Sequence, residues 1–299
     1  MELHDVIEGV LRREVLALDA PTEADWHATW TDRRLSDADL VVMAALGGAL
    51  AGRLAWVFLS GYQATIYRCF PDLPRQPGWT SFVNTEDRSG ALPGTALSGE
   101  GDARRLNGWK GWLAASASVD RLLVSAKQEH TPFILVRRDA AGVRIEERDT
   151  PSYLPELTQG RVHFEDVVVP DAALKGDEQT FPTFRVAEGA YIRVALTAFM
   201  LSHGRRLGAS AEFLAEAVAA MHAATGVVRQ PMPSLSSLVA AHGADLATQR
   251  LVAPFEDLLR SRDPGLLERW MRDRRMVTGA GERIAARSAA DLGELPEAD

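Results

Sequence analysis

Glu188 is the carboxylate whose neighbours best suit it to proton transfer. Val186, Ala187 and Ala190 flank it, and apolar surroundings raise a carboxyl pKa towards the range where it serves as a general base. It falls four positions after Phe184, so the two share a face if the segment is helical. A glutamate on a helix more commonly meets water, and that reading stands beside the catalytic one. Glu282, after Gly279-Ala280-Gly281, is a second candidate carboxylate. His163 and Glu165 alternate with apolar positions of a strand-like run and should face outward together, but no second histidine lies near in sequence to complete a metal set. Ser234, Ser236 and Ser237 sit in no GxSxG context, no GxGxxG follows a strand, and no P-loop occurs. A hydrolase triad, a dinucleotide fingerprint and a phosphate-cradling loop therefore have no support. Two basic runs, His203-Gly204-Arg205-Arg206 and Arg269 to Arg275, have the chemistry to meet an anion or to form ion pairs on solvated helix faces.

Three regions position these residues. Residues 1 to about 72 read as helical, with Val6, Ile7, Val10, Leu11 and Leu18 at helical spacing. Ser36 with Asp39 suggests a capping-box start. The next run carries Gly47, Gly48, Gly52 and Gly61, which permit close helix approach, and Pro71 should end it near Cys69. Residues 73–105 are rich in Pro, Gly, Ser and Thr. From 106 to 170 short β-forming runs appear: Leu122 to Val124, Phe133 to Val136, Val143 to Ile145 and the run from Val162 to Val169. Asn107-Gly108 reads as a hairpin turn, because both residues tolerate positive φ, and Gly142 suggests a second hairpin. The remainder, about 182–290, returns to helical periodicity punctuated by Gly204, Gly226, Pro233 and Pro264.

The bulk numbers exclude some classes. The chain has 299 residues, 46% apolar and 25% charged, with a net charge of −8. That acidity argues against nucleic acid or an anionic membrane as the main partner. One cysteine, Cys69, allows no internal disulfide and suits a reducing compartment. The first residues carry acids and bases throughout, unlike a secretory signal, and the longest apolar run, Leu40 to Tyr67, is broken by Arg53. A cytoplasmic protein with no membrane span is expected.

Two stretches carry a family likeness. Residues 106–127 read LNGWKGWLAASASVDRLLVSAK and residues 161–174 read RVHFEDVVVPDAAL. In that order they resemble the middle β-domain of acyl-CoA dehydrogenases, where patterns like LxGxKxWxxxxxxADxxxVxAK and FxDVxVP occur. The resemblance implies an α+β, mainly α, fold: an N-terminal helical region (1–72), a middle β-barrel domain (73–178) and a C-terminal helical bundle (179–299). It implies FAD as cofactor, an acyl-CoA or acyl-carrier-protein thioester as substrate, α,β-dehydrogenation, an external electron acceptor, and a homodimer or homotetramer.

The same resemblance distributes roles. Trp112 matches the tryptophan that lies against the flavin, and Ala114 stands where a flavin-bonding Thr or Ser is usual. Thr85-Glu86-Asp87-Arg88-Ser89-Gly90 stands where a TEPxxGSD-like motif helps to bind flavin and substrate, so Thr85 is assigned to the cofactor and Glu86 and Gly90 to the substrate. Asp87 replaces the proline, and Ala91-Leu92 replaces Ser-Asp. Thr278 falls where most members carry the catalytic glutamate, and Phe184-Arg185 where others carry a Glu-Arg pair. Glu188 and Glu282 are the remaining candidates for the base. The RxxFG and QxxGGxG segments that hold FAD in the family are not recognisable. These departures admit an alternative: a flavin-free degenerate member acting as a thioester-binding module or partner subunit, or a non-redox isomerase or lyase on a thioester.

Overall fold

The computed structural model describes residues 1–75, 78–87, 89–128, 130–149, 151–279 and 288. In chain order the elements are α1 (Leu3–Leu11), α2 (Glu23–Asp32), α3 (Leu40–Leu50), α4 (Leu54–Cys69), β1 (Trp79–Val83), β2 (Ala96–Ser98), β3 (Arg105–Ala114), β4 (Val119–Ser125), β5 (Pro132–Arg137), β6 (Val143–Glu147), β7 (Gln159–Val168), β8 (Leu174–Asp177), α5 (Thr180–Leu207), α6 (Ala211–Val228), α7 (Leu235–Arg262) and α8 (Pro264–Thr278), with short 3₁₀ turns between some of them. They form two compact units. One comprises Met1–Pro21, Arg33–Arg68 and the chain from Pro182 on; the other comprises Thr22–Asp32 and Cys69–Phe181.

The helical unit is built around α3, α4 and α5. The apolar run from Leu40 divides at Ala51 to Arg53, where Arg53 meets Asp19 at 3.1 Å. The helix after Ser36 starts later than the capping-box reading places it. Ser36 lies in a 3₁₀ turn, and Asp39 is the N-cap, its carboxylate accepting from the Val41 amide. Helix α4 ends at Cys69, as the Pro71 signal predicts. Gly48 is where α3 meets α5: a Cβ there would lie 2.0 Å from the Ala195 carbonyl oxygen, so only glycine permits the contact. Helices α7 and α8 take standard caps, with Ser234 accepting from the Ser237 amide and Asp263 from the Leu266 amide just before Pro264.

The second unit holds two four-stranded sheets, ordered β1-β4-β5-β8 and β2-β3-β7-β6. Only the β1–β4 pair among these is parallel. Two hairpin expectations fail here. Asn107-Gly108 lies inside β3, opposite a bulge in β7. Gly108 does take a positive φ of 111°, and Asp166 one of 50°, but this freedom serves the bulge rather than a turn. Asn107 fixes it by accepting the Asp166 amide at 2.8 Å. Gly142 joins β5 to β6, which belong to different sheets, so it turns a corner between them.

Helix α2 packs on this unit. Trp26 and Trp30 are buried, and the Trp30 ring meets the Trp79 ring edge-on at 6.0 Å. Glu23, also buried, accepts both the amide and the hydroxyl of Thr158 at 2.7 Å. Thr158 in turn binds the Ser116 and Ala117 amides. Glu23 therefore pins the start of β7 to the loop after β3.

Candidate functional site

A bulge in β3 sets the geometry around Trp112. Lys110 pairs with Val162 and Leu113 with Gly160, so β3 carries one residue more than β7 across this interval. The extra residue lets Lys110 and Leu113 both face the interior while Trp112 faces out. The Trp112 indole N–H donates to Gln159 Oε1 at 3.1 Å, and Gln159 Nε2 donates to the Tyr153 carbonyl at 3.2 Å. Trp112 is half-buried, with its ring held in one orientation. Ala114 pairs directly with Gln159 and is buried. It offers this face a methyl group and no hydrogen-bond donor.

The segment at Thr85 runs beside β3, its carbonyl accepting from the Gly111 amide at 2.7 Å. The Thr85 hydroxyl makes no hydrogen bond among the described residues. Glu86 turns inward: it meets Lys110 Nζ at 2.7 Å and the Thr95 amide at 3.3 Å. Lys110 also donates to Ser125 Oγ at 2.9 Å and to the Asn84 carbonyl at 3.3 Å. Burial pushes the Lys110 pKa below its usual range, with the hydrogen bond to Glu86 opposing it. The Glu86 carboxylate is thus committed to a network inside the unit.

Asp87 closes the loop that it begins. Its carboxylate accepts from the Ser89 hydroxyl at 2.5 Å and from the Ala91 and Leu92 amides at 3.0 and 3.1 Å, with the Ser89 amide at 3.3 Å. The Ser89 hydrogen bond, together with these amides, holds the Asp87 carboxyl below the usual carboxylate range. Gly90 is the exposed tip of the loop, at φ +72°. In sequence, Asp87 stands out only as a departure from the proline. The Asp-x-Ser-Gly order is the available signal for a side chain that closes its own turn. Gln159 carries no such signal.

The other candidates lie elsewhere. Glu188 is half-buried on α5, in the helical unit, among the buried Val186, Ala187 and Ala190. Thr278 is the last residue of α8, and its hydroxyl donates to the Arg274 carbonyl at 2.9 Å. Glu282 lies outside the described residues. Both basic runs are engaged inside the helical unit. Arg205 donates to the Leu11 carbonyl and Arg206 to Asp263. Arg274 and the Trp270 indole both donate to Glu256. His163 stacks on Trp109, with ring centroids 4.4 Å apart, and no cluster able to hold a metal occurs among the described residues.

His203 gives this unit a pH dependence. Its Nε2 lies 3.0 Å from the Ala51 carbonyl and its Nδ1 3.2 Å from Arg206 Nη2, which fits a neutral ring donating through Nε2. Burial pushes its pKa down from 6.5 to about 4. In the unfolded chain the ring takes a proton that the folded site refuses, so the stabilisation is full above about pH 6.5 and falls as pH drops towards about 4. The expected loss is on the order of 3 kcal/mol. Urea unfolding from neutral pH down to about pH 5 should show this slope, and His203→Gln should flatten it. A slope unchanged in the variant would assign it to other groups.

Helices before and after an eight-stranded β unit define the acyl-CoA dehydrogenase-like fold. Solved structures of that kind superpose on nearly the whole chain. FkbI, which serves biosynthesis of the methoxymalonyl extender unit of the Fk520 polyketide immunosuppressant, is 18% identical with a TM-score of 0.65, over 99% of this chain and 100% of its own. The prolyl acyl carrier protein oxidase AnaB is 15% identical with a TM-score of 0.68, over 97% of each chain. TdsC from Paenibacillus sp. A11-2, in a complex with FMN and indole, is 16% identical with a TM-score of 0.70, over 98% of this chain and 96% of its own. No family model matches the sequence, and no curated protein matches it either. At these identities the fold is what is shared.

Proposed function

We propose that this chain is an acyl-CoA dehydrogenase-like subunit that holds no FAD on its own β unit and works beside a flavin-bearing subunit on an acyl thioester. The closed Asp87 loop carries this reading. In the resembled family the corresponding loop helps to hold flavin and substrate. Here its amide donors are taken by a carboxylate of the same loop. An FAD diphosphate or ring carbonyl would have to displace that carboxylate and then lie beside its negative charge. Ala114 supplies no replacement donor, and Glu86 is committed to Lys110. Among the residues assigned to the cofactor the Thr85 hydroxyl is the one donor left uncommitted, and the face as a whole does not fit FAD.

Assembly with another subunit is inferred from the fold, ChsE4 and ChsE5 from Mycobacterium tuberculosis forming a complex. Helix α6 is, among the described residues, the one helix long and apolar enough by length and composition to cross a membrane, and it is 44% buried. Its exposed side mixes Ala215, Ala219 and Gly226 with Glu212, Glu216 and His222, and the neighbouring α7 exposes Val239 and Leu246. The thioester, on coenzyme A or on an acyl carrier protein, is inferred from the fold, AnaB being a prolyl acyl carrier protein oxidase.

An FAD titration of the wild-type chain and of Asp87→Ala tests the reading. The wild type should show no saturable binding, and the variant, with its amides released, should bind measurably better. Tight stoichiometric binding by the wild type would overturn it.

One observation favours a second reading. The Trp112 ring is half-exposed and fixed in orientation, as a flavin-covering tryptophan would be, and the chain would then oxidise the thioester itself with Glu188 as base. Under that reading Glu188→Gln should abolish the loss of flavin absorbance on anaerobic addition of an acyl-CoA. Unchanged bleaching would reject Glu188.

A further inference from the structure

The sheet face that presents Trp112 continues across β7 and β6 into a cluster that neither reading uses. Arg144 of β6 pairs with His163 of β7, which pairs with Trp109 of β3; in the next row Glu146 pairs with Arg161. Side chains alternate along strands, so Gln159, Arg161 and His163 share one face, and Trp109 joins them by its stack on His163. The Arg144 and Arg161 guanidiniums sit over the Trp109 ring, 5.4 and 5.2 Å from its centroid. Both arginines share the single carboxylate of Glu146, at 2.9 and 2.7 Å, and are 60% and 44% exposed.

We infer that this face is a docking surface for a carboxylate-rich segment of a partner protein. Two guanidiniums divide one carboxylate, so N–H groups of both remain without partners among the described residues, and a planar fork of this kind matches an incoming carboxylate. The chain is acidic overall, at −8, whereas this face sets Arg144, Arg161 and the exposed Arg148 against Glu146 and the exposed Glu165, a local excess of one positive charge beside an aromatic ring. Tryptophan and arginine are the residues that concentrate binding energy at interfaces. The ring and both guanidiniums are already held by one another, which lowers the ordering cost of association. An aromatic base is the less suitable ligand, since His163 and the two guanidiniums already occupy the Trp109 ring. Docking here goes beyond the flavin question and stands whether or not FAD binds.

The test is fluorescence anisotropy with a fluorescein-labelled decaglutamate peptide and the full chain. Wild-type protein should bind, more weakly as salt rises. The double variant Arg144→Glu, Arg161→Glu should lose about tenfold or more in affinity. Arg137→Glu, on the other sheet and paired with Asp139, should not, and matched thermal midpoints would exclude unfolding as the cause. Absence of wild-type binding, equal binding by the double variant, or tighter binding of a labelled oligothymidylate than of the peptide would each overturn the inference.

Discussion

Replacing Lys110 with methionine is expected to lower the unfolding free energy by about 3 kcal/mol, the lower end of the range for breaking a buried ion pair. Lys110 is 1% exposed and its ammonium serves Glu86, Ser125 and the Asn84 carbonyl together. Methionine fills a similar volume, so little of the loss should come from a cavity. What remains is a carboxylate without its cation and two acceptors without their donor. Glu86 is 34% exposed, so water can reach it in part, and this sets the estimate at the lower end. Glu86→Gln, which keeps a hydrogen-bond acceptor for the ammonium, should cost less. Chemical denaturation of the two variants checks the order. A loss under about 1 kcal/mol for Lys110→Met would show that the pair contributes little beyond its solvation cost.

The second large effect is expected at Asp245. The Arg193 and Asp245 side chains are 3% and 10% exposed and meet at 2.5 Å between α5 and α7, and Arg193 also donates to the Gly189 carbonyl at 2.9 Å. Asp245→Ala strands a guanidinium in the bundle and should cost about 3–5 kcal/mol. The double replacement Arg193→Met, Asp245→Leu removes both charges and should recover most of that, because two buried charges gain from pairing roughly what they lose in solvation. A double variant as unstable as the single one would show that the pair's shape, rather than its charge, holds α5 against α7.

Much of the fold was legible in sequence because its signals are local. The end of α4 followed from Pro71, the helix approach at Gly48 from the glycine run, and the order of helices, β block and helices from periodicity. The strand pairings were not legible. Asn107-Gly108 carries the local preference of a turn, but β7 on one side and β2 on the other claim it for a strand, and its positive φ is absorbed by a bulge. Gly142 misled in the same way, since sheet membership is decided by non-local pairing. At the site, the resemblance drew attention to Trp112, Thr85 and Ala114. It could not show that Glu86 faces Lys110 rather than outward, because that depends on the bulge after Lys110. Nor could it show that Asp87 caps its own loop, because the family pattern has proline there.

Under the proposed function, the Asp87 carboxylate takes the loop amides that a flavin would use, and Ala114 adds no donor in their place. The most direct measurement is the visible absorbance spectrum of the freshly purified chain, taken again after incubation with excess FAD and removal of the unbound fraction. No flavin bands are expected in either spectrum. Stoichiometric flavin in either one would contradict the proposal and would return Trp112 to the role of a flavin-covering residue.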